Sequence, residues 1–123
     1  MTNIILNHTF ASYKSQPMVI KFEKEYLEEL YTEGKAKNKK YRFQPQVVKN
    51  YRQTIDRLRP ATRVEDLFPI RSLNYEKLSG NKKGLESVRV NDQYRIEFRT
   101  SVEGEDPNTI TICSIVELSN HYK

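Results

Sequence analysis

Two arginines, a histidine, a tyrosine and a few lysines are the residues of this sequence whose types and spacing could do chemistry. Arg89 and Arg95 stand in "SVRVNDQYRIEFRT" (87–100), where apolar and polar residues alternate on both sides of Asn91, Asp92 and Gln93. Alternation at period two reads as a β-hairpin whose register follows the buried face. With Asn91, Asp92 and Gln93 as the loop, Val90 opposes Tyr94, Arg89 opposes Arg95 and Val88 opposes Ile96. A loop of Asn91 and Asp92 alone would set Val88 against Arg95 and mix the faces. The longer loop predicts a core side of Val88, Val90, Tyr94, Ile96 and Phe98. Ser87, Arg89, Arg95, Glu97 and Arg99 fall on the other side. Like charges directly opposed cost something under about 1 kcal/mol at an exposed site. Both side chains can bend into water, Glu97 can bridge them, or the pair can receive an anion, since a planar guanidinium fork suits phosphate oxygens.

His121 and Tyr122 follow a long β-branched run expected to pair near this hairpin. Histidine moves protons near neutral pH, and tyrosine can donate a proton, accept one if its pKa is lowered, or stack on a base. A terminal histidine is also often only a solvated side chain. Lys77, Lys82 and Lys83 lie just before the hairpin. Together these groups offer what metal-free RNA cleavage needs: removal of the 2′-OH proton, stabilisation of the pentavalent phosphate, and protonation of the leaving 5′-oxygen.

The elements that must position them can be read along the chain. "MVIKF" (18–22) alternates as a short strand. In "EKEYLEELYTEG" (23–34), Tyr26, Leu27, Leu30 and Tyr31 fall at helical spacing, with Gly34 placed as the C-terminal cap. "PQVVKNYRQTIDRL" (45–58) has Pro45 at the first helical position and an apolar stripe of Val48, Tyr51, Ile55 and Leu58; Pro60 ends it. That stripe reads as core. "LNYEKL" (73–78) is expected as a strand, "GNKKG" (80–84) as a tight basic loop, and "NTITICSIVEL" (108–118) as a long central strand. Helices first and a meander after them predict an α+β domain, with two N-terminal helices packed on one face of a small antiparallel twisted sheet.

At 123 residues the chain fits one domain. Residues 1–17 are expected to be a flexible extension, with Met18 opening a domain that runs over 18–123. No apolar run approaches the roughly 20 residues of a membrane span. The single cysteine, Cys113, excludes an intramolecular disulfide and suits a reducing cytoplasm. Lys and Arg number 21 against 16 Asp and Glu, a net charge of +5. Residues 35–63 hold ten basic residues and one acid, Asp56, whereas residues 100–120 hold four acids and no Lys or Arg. The basic pole is either a solvated helix face or a surface that docks on nucleic-acid phosphates.

The stretch "LNYEKLSGNKKGLESVRVNDQYRIEF" (73–98), with "NHY" at 120–122, resembles the HigB family of bacterial toxins in the RelE/ParE superfamily. The shared pattern is a Leu-x-Gly turn (Leu78, Gly80), a further Gly84, a strand ending in Arg-x-Asn (89–91), and Gln-(Trp/Tyr)-Arg-Ile-x-Phe (93–98). The resemblance covers about residues 18–123. It implies a small α+β fold and a ribosome-dependent mRNA endonuclease that cuts the codon in the A site. It implies no metal or cofactor, and a cognate HigA-like helix-turn-helix antitoxin through which alone DNA is contacted. It places Arg95 at the scissile phosphate and the terminal aromatic and histidine pair on His121 and Tyr122. Here the order is Asn120-His121-Tyr122 in place of Asp-Tyr-His, which leaves open which of the two faces the site. The histidine common before the Leu-x-Gly turn is absent; of Tyr75, Glu76 and Lys77 in that region, Lys77 is expected to contact phosphate. Ser79 stands where a lysine is often found, and Lys82 or Lys83 is expected to replace it, with Arg89 assisting Arg95. Two rivals remain on the same fold: a ParE-like gyrase inhibitor and a non-catalytic module that binds RNA or antitoxin.

Overall fold

A computed structural model describes residues 16–121. The expected extension over 1–17 therefore lies almost wholly outside the described residues, and so does Tyr122. Strand β1 (Val19–Phe22) leads into helix α1 (Glu25–Glu33). Glu25 and Glu28 in the first turn complement the positive end of its dipole. Gly34 closes it at φ 76°, donating its N–H to the carbonyls of Glu29 and Leu30. Helix α2 (Pro45–Leu58) begins at the proline and buries Val47, Val48, Tyr51, Thr54, Ile55 and Leu58.

Strands β2 (Glu76–Lys77), β3 (Glu86–Arg89), β4 (Tyr94–Glu103) and β5 (Ile110–Asn120) follow, in the spatial order β1-β5-β4-β3-β2. The α+β class holds, and the sheet is antiparallel except at one edge, where β1 pairs with β5 in parallel. Both helices and strands β2 to β4 lie between β1 and β5, and so long a connection permits parallel pairing. β5 is interior, between β1 and β4. The expected strand over 73–78 shrinks to Glu76–Lys77. Residues Arg71–Leu73 coil into a 3-10 turn and Asn74 takes a left-handed φ of 44°, so the backbone is not extended there.

The core lies between the sheet and the helices, where Val88, Ile96, Phe98, Cys113, Ile115 and Leu118 meet Leu27, Leu30, Tyr51 and Ile55. Ile115 and Leu118 are three apart yet share a face, because the register shifts between Glu97 and Phe98 and leaves Val116 as an extra residue in β5. This bulge resets the alternation so that Leu118 opposes Ile96 and Ser119 opposes Arg95. Where β1 has ended, the Tyr26 hydroxyl accepts the Leu118 N–H at 3.2 Å; burial pushes that phenol up to about 12. Tyr26 stacks on Tyr41 at 3.8 Å between centroids, and Phe43 meets Tyr94 edge-on. The basic connector is thus tied to the start of β4.

The hairpin register is the expected one: Val88 opposes Ile96, and Arg89 opposes Arg95. The loop is held by Asn91, whose Oδ1 accepts the N–H of Gln93 at 2.9 Å and of Tyr94 at 2.7 Å. Asn91→Ala removes the one oxygen that accepts both bonds and is expected to lower stability by about 1 kcal/mol. Urea unfolding of the two proteins measures this, and an unchanged midpoint would show that the register holds without the side chain.

Candidate active-site cleft

Across the face turned away from the helices, residues align in two charged rows. Glu76, Ser87, Glu97 and Glu117 are cross-strand partners from β2 to β5; Arg89, Arg95 and Ser119 form the adjacent row. The opposed arginines are kept apart because each has its own acceptor. Arg89 donates through Nε to the Asn91 carbonyl at 3.1 Å and pairs with Asp92 in the turn. Arg95 turns along its own strand to Glu97, two residues on and on the same face, donating Nε at 3.0 Å and Nη2 at 2.9 Å to Glu97 Oε2. The expected bridge by Glu97 holds only in part: Glu97 bridges, but from Arg95 to Lys82 and not to Arg89. The Lys82 Nζ reaches the same oxygen at 2.7 Å.

This polar face is also not open to water at its centre. Arg95 is 4 % exposed, Glu97 2 % and Ser87 0 %. The loop after β2 covers them, held by Lys82 and by the Leu78 N–H bond to the Leu85 carbonyl. Arg99, further out, is exposed and pairs with Glu23. Burial works against ionisation of Glu97, but the hydrogen bonds from Lys82 and Arg95 outweigh it and hold its pKa below the usual carboxylate value. The Glu97 carboxylate therefore stays charged at neutral pH.

Beside the ion pair lies an open cleft of about 590 Å³, lined by Glu76, Lys77, Lys82, Arg95 and His121 together with Ser79 and Asn81. The Arg95 strand forms its floor, the loop after β2 one wall, and the end of β5 the other. The last of these is brought in by pairing: Asn120 opposes Tyr94, and the His121 N–H donates to the Gln93 carbonyl at 3.1 Å. Four of the residues expected in the site are thus gathered: Arg95, His121, Lys77 and Lys82. Two are not. Arg89 is bound into the hairpin turn, and Lys83 lines a neighbouring depression with Lys77, Glu86 and Thr100. Glu76, passed over in favour of Lys77, adds a carboxylate to the cleft. Larger hollows lie between the helices near Lys49 and Arg52, and beside the β4–β5 connection, but neither includes Arg95 or His121.

Chemically, the cleft sets a histidine and a carboxylate around an arginine and two lysines. That combination can hold an anionic ester and exchange protons with groups on either side of it. Among the described residues no set of three or more His, Cys, Asp and Glu side chains is arranged to hold a metal ion, and no helix is long and apolar enough to cross a membrane.

Comparison with known proteins gives a family. A family model described as the RelE-like toxin of the type II toxin-antitoxin system HigB matches residues 20–112. Among solved structures, the chain is similar to a YoeB/ParE toxin from Agrobacterium tumefaciens, with a TM-score of 0.48 and 15% identity over 85% of this chain and 100% of that one. It is also similar to a chain of the YoeB-YefM complex from Staphylococcus aureus, with a TM-score of 0.46 and 21% identity over 85% of this chain and 98% of that one. No curated protein sequence matches it. Since the matched segment spans most of the chain, including both helices and strands β2 to β4, the chain belongs to the HigB-like family of RelE-like toxins of type II toxin-antitoxin systems.

Proposed function

We propose that this toxin is a ribosome-dependent endoribonuclease that cuts mRNA in the A site. The observation that carries this reading is the convergence of Arg95, Lys77, Lys82 and His121 on one cleft, from three separate parts of the chain. In the proposed reaction the 2′-oxygen attacks the adjacent phosphorus as its proton leaves. The phosphorus–5′-oxygen bond breaks, and the 5′-oxygen takes up a proton. The products are a 2′,3′-cyclic phosphate and a free 5′-hydroxyl, and no cofactor enters.

Arg95 neutralises the phosphate as charge builds on its non-bridging oxygens. His121 and Tyr122 exchange protons with the 2′-OH and the leaving oxygen, and Glu76 is a second acceptor in reach of the same cleft. Lys77 and Lys82 hold flanking phosphates, with Lys83 and Arg89 further out. The basic connector and α2 rest on ribosomal RNA, which places the partner's phosphates against the pole rich in Lys and Arg. In the cell the toxin works in the cytoplasm, and a HigA-like helix-turn-helix antitoxin holds it inactive and brings the complex to DNA.

Primer extension on a defined mRNA tests the reading, using purified protein with and without programmed ribosomes. Cuts confined to the A-site codon and dependent on ribosomes are expected. Growth arrest with intact mRNA and DNA breaks would favour the gyrase inhibitor instead. Intact mRNA with no arrest would leave a binding module.

A further inference from the structure

We infer that Glu97 is a positioning residue: it grips Arg95 from the side and turns the far edge of its guanidinium into the cleft. The inference rests on the reading of Arg95 as the phosphate-binding group. A guanidinium has five N–H groups in one plane. Two of them, on Nε and Nη2, are taken by a single Glu97 oxygen. The remaining edge, made by Nη1 and the second Nη2 hydrogen, points away from Glu97. The only buried side-chain nitrogen or oxygen without a partner among the described residues is Ser87 Oγ. Arg95 Nη1 is thus not an orphaned buried group, and Arg95 lines the cleft, so we take this edge as the one that faces it. That edge also presents two near-parallel N–H groups, a spacing that matches two oxygens of a phosphate.

Glu97 is well suited to such a grip because it is itself fixed. Its side chain is 3 % exposed and takes a third bond from Lys82. Lys82 differs in kind from Arg95. It is 41 % exposed and sits on a loop bounded by Gly80 and Gly84, both at positive φ. When a phosphate enters, Lys82 can leave Glu97 for the anion while Arg95 keeps its two side-on bonds.

Charge and geometry make opposite predictions for Glu97→Gln, which is what makes the role testable. Removing a negative charge beside an anion site should tighten RNA binding and quicken the reaction if charge is all that matters. Losing the grip should slow the reaction without weakening binding. We expect ribosome-bound cleavage by Glu97→Gln to be slower by about 10- to 100-fold in kcat, the scale of a misplaced catalytic group. Affinity for programmed ribosomes carrying mRNA with a 2′-deoxy A-site codon should not fall. In an Arg95→Ala background the same change should cost nothing further, because Glu97 acts through Arg95. Wild-type kcat in Glu97→Gln, or an equal loss in both backgrounds, would overturn the inference; the second result would make Glu97 act on substrate directly. Full activity of Arg95→Ala alone would instead sink the reading of the site. Should Glu97→Gln not fold, the wild-type protein still decides. Its Arg95 Nε–H resonance, assigned by its loss in Arg95→Lys, is expected to be protected from solvent exchange before and after 2′-O-methyl RNA is added. A freely exchanging Nε–H would show that no grip exists.

Discussion

Replacing Arg95 with alanine is expected to lower the rate of A-site cleavage by about two to three orders of magnitude, the range seen when one preorganised donor to a developing oxyanion is deleted. The fold should survive. Arg95 shares Glu97 Oε2 with Lys82, so its removal leaves the buried carboxylate with a cationic partner. The space left behind borders the open cleft, where water can enter. Activity and stability should therefore separate. Single-turnover primer extension measures the first, and thermal unfolding the second. Arg95→Lys is a useful companion: it keeps the charge and loses the fork, and should recover only part of the rate. Cleavage by Arg95→Ala at the wild-type rate would remove the centre of the mechanism.

The hairpin explains why so much of this site could be read from sequence. Side-chain alternation and one mismatched alternative were enough to fix the register that sets Arg89 opposite Arg95. Both helices were legible for the same reason: an apolar stripe, a proline at one start and a glycine at one end. What local pattern does not carry is the long-range partner. Parallel pairing of β1 with β5 depends on where the antiparallel strands β2 to β5 end, far along the chain from β1. The bulge at Val116 is hidden in a run where Ile115 and Val116 are equally β-branched, so nothing marks the residue at which alternation slips. Glu97 is the instructive miss. A charged residue on the face away from the core is expected to be wet, and only the loop carrying Lys82 makes it dry. Its spacing of two from Arg95 on one strand did signal a partner. The loop that buries the pair had no such signal, since a short glycine-bounded basic segment reads as turn wherever it folds.

On the opposite face of the sheet, the largest loss of stability is expected from Tyr51→Ala. Tyr51 is fully buried in α2, and its hydroxyl donates to the Leu27 carbonyl of α1 at 2.8 Å. Burial pushes its phenol well above the ordinary tyrosine range, so it acts as a neutral donor at any physiological pH. Truncating a buried aromatic ring costs about 3–5 kcal/mol, against a total stability of about 5–15 kcal/mol for a domain. The variant should unfold at a clearly lower temperature and urea concentration than the wild type. Tyr51→Phe separates ring from hydroxyl. It keeps the packing and leaves the Leu27 carbonyl short of one bond, a loss nearer 1 kcal/mol, because a carbonyl has two lone pairs. Urea titration of the three proteins reads both numbers. A loss under about 2 kcal/mol for Tyr51→Ala would mean that α1 and α2 close on the gap, since cavity cost depends on how far a site collapses. Because the ring packs on the helix side and the cleft opens on the other, Tyr51→Phe should cleave mRNA at the wild-type rate per folded molecule. The helices would then serve catalysis by holding the sheet that aligns Arg95, His121 and the covering loop.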